Sequence, residues 1–82
     1  MEKTNFFGNP DVFKKRIAKM DGKKFKIFLA QKEEQWAFLD RNRYYYQLFA
    51  DDPDDARGRD ALCMKYLYEE KEKRGILKRG IL

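Results

Sequence analysis

Eighty-two residues, 43% hydrophobic and 40% charged, allow one small domain built on one core, near the size at which a fold leans on a partner, so a homodimer or stabilisation on binding is expected. The net charge is +5, nineteen Lys and Arg stand against fourteen Asp and Glu, and histidine and serine are both absent. Histidine-based acid–base catalysis and Ser- or Cys-based triads are thereby excluded, and the composition favours binding without a cofactor over catalysis.

The one cysteine, Cys63, can form neither an internal disulfide nor a thiolate metal cluster, which fits a reducing cytoplasm. Its neighbours Leu62, Met64 and Leu67 mark it as an inert core thiol. No apolar run approaches the roughly 18 residues of a membrane span, and the stretch from Met1 to Asn5 lacks the apolar segment of a signal peptide, so a cytoplasmic chain with no membrane contact is expected.

In chain order, Asn9-Pro10-Asp11 predicts a helix start. Asn9 can accept from an orphan N–H, Pro10 is preset for the first turn, and Asp11 faces the positive end of the dipole. The helix is expected to reach about Met20, with Phe13, Ile17 and Met20 on one face, Lys14, Lys15 and Lys19 outward, and Asp21-Gly22 as its stop. From Lys23 to Asp52 neither Gly nor Pro occurs. A helical wheel gathers Trp36, Phe38, Leu39, Tyr45, Tyr46, Phe49 and Ala50 in about half the circumference. Phe25, Ile27 and Leu29 alternate with Lys24, Lys26 and Phe28 as in a strand, and a hairpin turning near 40–43 is the competing reading. The scarcity of β-branched residues favours helix over 32–50 and leaves 23–30 undecided. Asp52-Pro53-Asp54-Asp55 repeats the helix-start chemistry, for a helix to about Arg74 with Leu62, Cys63, Tyr66 and Leu67 on its apolar face and Gly75 as its end.

The expected fold is all-α, a three-helix domain over 1–74 with a basic tail over 75–82; the alternative is α+β, with a short hairpin within 23–50 between two helices. The tail repeats Arg-Gly-Ile-Leu twice. Metal binding by Asp51, Asp52, Asp54 and Asp55 is the sharper reading of the acidic run, but the run lacks the spaced ligands and central glycine of a calcium loop, so helix capping explains it better. Glu33, Glu34 and Asp40 read as a solvated helix face.

Residues 14 to 26 carry seven cations, Lys14, Lys15, Arg16, Lys19, Lys23, Lys24 and Lys26, against Asp21 alone. They are expected to form one cationic surface, extended by Arg41 and Arg43, on which the phosphates of a single-stranded RNA would lie with little sequence specificity. The cations at the two ends of the chain are expected to converge on that face. Thirteen aromatic residues accompany them. Phe13, Phe25, Phe28, Phe38, Phe49 and Tyr66 are assigned to the core. Because Tyr44, Tyr45 and Tyr46 cannot all face inward, Tyr44 is assigned to the surface, for stacking on a base. Trp36, Arg74, Lys78 and Arg79 are candidates for contact with a protein partner. The competing functional reading is a protein–protein inhibitor or adaptor with no nucleic-acid role.

In size, charge, aromatic richness and lack of catalytic groups, the chain resembles the small accessory proteins that tailed phages make early in infection. Among them it is similar to the TifA type, which neutralises the endoribonuclease toxin ToxN. The resemblance implies a non-enzymatic RNA-binding inhibitor that engages toxin and RNA together. It rests on overall character across the chain, with which the basic stretches 14–26 and 74–79 are compatible, and assigns no site residue.

Overall fold

In a computed structural model that describes residues 5–75, the chain is all-α, with helices α1 (Pro10–Ala18), α2 (Gly22–Arg41), α3 (Tyr44–Phe49) and α4 (Pro53–Lys73). The undecided stretch 23–30 is helical, and what was expected as one middle element is two helices. The starts form as the capping chemistry requires. Asn9 Oδ1 accepts from the N–H groups of Asp11 at 2.8 Å and Val12 at 3.2 Å, and Asp52 Oδ1 accepts from Asp55 at 3.1 Å.

Two boundaries differ from expectation. α1 stops at Ala18, and Asp21 opens α2 instead of closing α1, because its extended backbone lets its carboxylate accept from the Lys24 N–H at 2.8 Å. α2 ends at Arg41 and is capped by Asn42, whose side-chain amide donates to the Phe38 carbonyl at 2.9 Å. That break interrupts the continuous wheel that placed Phe38 and Phe49 inside. Both rings are open to solvent instead, at 44% and 46% exposure.

α4 is the axis of the molecule. Along it, Cys63 meets the carbonyl of Gly8, Tyr66 meets Lys14, and Arg74 reaches the carbonyls of Ile17 and Met20, so α1 runs parallel to α4. α2 runs the other way: Phe25 lies under Arg74, Glu33 accepts from the Tyr68 hydroxyl, and Asp40 pairs with Arg57. The main core fills the space between the three long helices with Phe13, Ile17, Phe25, Leu29, Cys63, Met64 and Leu67. A smaller cluster of Leu39, Tyr46 and Ala56 joins α3 to the start of α4. Cys63 is fully buried as expected, and burial followed by the nearby Asp60 charge pushes its thiol up to about 11.

The N-terminal segment is tied down by a feature with no counterpart in the sequence reading. Asp60, fully buried on α4, accepts four hydrogen bonds: from the Asn5 side chain at 2.7 Å, from the Phe6 and Phe7 N–H groups at 3.2 and 2.9 Å, and from the Tyr46 hydroxyl at 2.7 Å. A buried carboxylate is tolerated when its lone pairs are filled in this way. Gly8 then turns the segment into α1 at φ +89°, a conformation that glycine takes without the Cβ clash other residues suffer.

Candidate nucleic-acid interface

The seven cations of residues 14 to 26 are all exposed, and among the described residues none of them forms an ion pair. Three of the four arginines from Arg41 to Arg59, and Arg74 after them, are treated differently. Arg43 and Arg57 converge on Asp40 at 3.3 and 2.8 Å, Arg59 pairs with Asp55 at 3.0 Å, and Arg74 pairs with Glu70 at 2.7 Å. The two arginines on Asp40 hold its carboxyl below the usual range, Arg57 more than Arg43.

Two of the seven, Arg16 and Lys24, lie at the seam between α1 and α2, where Phe28 packs against Phe13 with ring centroids 5.6 Å apart. The Arg16 guanidinium lies 5.7 Å and the Lys32 ammonium 5.1 Å from the Phe28 centroid. Lys24, one turn before Phe28, lines the same hollow of about 210 Å³ together with Met20, Ile27 and Gln31. Lys32 is also 5.3 Å from the Phe7 ring, and its ammonium is held below its ordinary pKa by burial first and by Arg16 second. Three cations around one half-exposed ring, with no carboxylate bonded to any of them among the described residues, form a site that attracts anions and offers an aromatic face beside them.

The remaining sequence candidates divide. Lys15 and Lys19 stand on the outer side of α1, Lys14 lies over Tyr66 on the α1–α4 side at 4.8 Å, and Lys23 and Lys26 are exposed in the first turns of α2. Arg41, Arg43 and Tyr44 are not brought to this seam. Seventeen residues of helix separate Lys24 from Arg41, about 25 Å at 1.5 Å per residue. Tyr44 is exposed as expected, at 55%, but stacks on Tyr45 with centroids 4.7 Å apart. The hydrogen bond with Tyr45 raises its hydroxyl pKa.

Two partner candidates are engaged within the fold. Trp36 packs against the core beneath the Arg57 guanidinium, 5.1 Å from its ring. Arg74 donates to the Ile17 and Met20 carbonyls at 2.9 and 2.6 Å and covers Phe25 at 4.5 Å, closing the end of α1. That contact does bring the end of α4, with Lys71 and Lys73, beside the end of α1. Lys78 and Arg79, with most of the expected tail, lie outside the described residues.

Lys32 is the functional candidate that sequence reasoning missed. Its signal was present: Lys24, Phe28 and Lys32 recur at every fourth residue and so lie along one stripe of α2. No family model matches this chain, and neither a curated protein nor a solved structure does so. Among the described residues, no helix is long and apolar enough to cross a membrane.

Proposed function

We propose that the protein is a small non-catalytic module that binds single-stranded RNA, chiefly through phosphates laid along the α1–α2 seam. What carries the reading is the density of unpaired positive charge: residues 14 to 26 hold seven cations against Asp21 alone, and among the described residues none of the seven forms an ion pair. Phe28, ringed by Arg16, Lys24 and Lys32, adds a surface against which an unpaired base can rest while its phosphates meet the cations. The adaptor reading loses Trp36 and Arg74 as free contacts, because both are engaged within the fold. The likeness to the TifA type extends the proposal to inhibition of a toxin endoribonuclease in a complex that also contains RNA, with the host cytoplasm as the site of action.

Binding of an unstructured oligoribonucleotide, followed in a filter assay, tests the RNA contact. With about five phosphates neutralised, affinity falls on the order of 100-fold between about 50 and 200 mM salt. Changing Lys15, Arg16 and Lys24 together to Glu abolishes binding while the helical circular dichroism is retained. A flat salt response rejects the proposal. Loss of toxin copurification after nuclease treatment is the outcome expected if RNA bridges the inhibitory complex.

A further inference from the structure

Beyond Lys32 the α1–α2 seam runs on into a second surface. Phe6, Phe7, Phe38, Tyr45 and Phe49 line an open groove of about 590 Å³, together with the polar side chains of Lys32, Glu34 and Gln35. The Lys32 ammonium stands 5.1 Å from the Phe28 centroid in the seam and 5.3 Å from the Phe7 centroid in the groove, so one cation belongs to both surfaces. Phe6, Phe38 and Phe49 are each more than two-fifths exposed. A contiguous apolar patch of this kind, rimmed by polar groups, marks an interaction surface.

We propose that the groove binds an unpaired base of the same RNA strand whose phosphates lie on the seam, with Lys32 holding the phosphate between the two surfaces. The inference rests on the RNA-binding reading above and adds to it a second base site, distinct from Phe28. Its rings are arranged for stacking. Tyr45 and Phe49 lie within 8° of parallel with centroids 6.2 Å apart, and Tyr44 follows Tyr45 at 23° and 4.7 Å. Aligned rings offer a face to a further planar ring, whereas an aliphatic peptide segment packs without regard to ring orientation.

The polar wall fits a base edge as well. Lys32 Nζ donates to Gln35 Oε1 at 3.0 Å, which leaves the Gln35 amide N–H groups as donors next to the Glu34 carboxylate, an acceptor. The Watson–Crick edge of every unpaired base presents a donor beside an acceptor, and an apolar segment presents neither. The spacing suits one strand. Six residues of α2 separate Lys32 from Phe38, about 9 Å at 1.5 Å per residue, the rise of two to three nucleotides at about 3.4 Å each.

The test compares a short oligouridylate with the same oligomer lacking its bases, each bound by the wild-type protein and by the variant Phe38→Ala with Phe49→Ala. The wild type holds the base-bearing strand more tightly. The double variant weakens that binding about tenfold, the loss expected of one stacked base, and leaves affinity for the baseless strand unchanged. Its salt dependence stays that of the wild type, because no phosphate contact is removed. If the double variant loses its helical dichroism, Phe38→Ala and Phe49→Ala are tested singly in the same scheme. An equal loss on both strands, or a loss on neither, overturns the base site. Where the wild type still shows a steep salt response, the phosphate reading survives that result and the groove is left to a protein partner. A wild-type protein that binds neither strand, or binds with a flat salt response, overturns both readings.

Discussion

The α1–α2 seam and the Asp60 clasp handle charge in opposite ways. Around Phe28, Arg16, Lys24 and Lys32 gather without a carboxylate bonded to any of them among the described residues. Beyond Lys32 and the Phe7 ring, a single carboxylate is sealed from water and surrounded by four neutral donors drawn from the N-terminal segment and α3. The difference follows from solvent. An exposed ammonium is stabilised by water and needs no partner, so it stays available to a ligand, whereas a buried carboxylate must have its acceptors filled by the protein itself. A charged side chain therefore means binding in one place and architecture in the other, and burial decides which.

Removing the clasp is expected to have the largest effect. Asp60→Ala strands the Tyr46 hydroxyl and the Phe6 and Phe7 N–H groups, and lowers unfolding free energy by about 3 kcal/mol or more in urea titrations. RNA affinity measured below the unfolding transition stays within a few-fold of wild type. A loss of RNA binding equal to that of the Glu triple variant would erase the distinction between the two regions.

Arg74→Ala comes next. It opens the end of α1 and uncovers Phe25, at a cost of about 2 kcal/mol, whereas Lys15→Ala, an equal change in charge on the outer side of α1, stays within about 0.5 kcal/mol. Thermal melts of the two variants side by side sharpen the comparison, since both lose one cation and only one loses structure.

A smaller effect comes from Cys63. Its thiol pKa is raised in the fold from 9.0 to about 11, so the folded state holds its proton where the unfolded chain releases it. That stabilisation is complete below about pH 9 and is lost as pH climbs toward 11, by on the order of 2 kcal/mol. Stability measured at pH 8 and pH 10 should therefore fall more steeply for the wild type than for Cys63→Ala. Equal slopes would mean that the thiol takes no part.

The helices were legible because their starts are chemical. Asn9-Pro10 and Asp52-Pro53 mark α1 and α4 within a residue, and Gly75, at φ +74°, ends the last turn as a glycine there should. The core stripe of α4 was legible at Cys63, Met64 and Leu67, but not at Ala56 and Asp60. Ala56, Asp60, Cys63 and Leu67 share a face, and the charge on Asp60 disguised it as part of the acidic run. A carboxylate at an apolar register position is itself the signal that its partners come from elsewhere in the fold. The cationic seam was half legible. The lysine run gave the charge, but that Phe28 would lie between Arg16 and Lys32, and that Arg43 would be bound to Asp40, depends on where α1 and α2 sit in space. The groove around Phe38 was hidden for a local reason, since one asparagine at position 42 ends a helix that periodicity alone would continue.

The reach of Asp60 also sets an order of assembly. Its partners Asn5, Phe6 and Phe7 precede it in the chain by 53 to 55 residues, so on the ribosome they emerge about 3 to 11 s before the aspartate that secures them. Through that interval two phenylalanines have no anchor. Throughout that window a chaperone or a neighbouring nascent chain has its best opportunity to capture them.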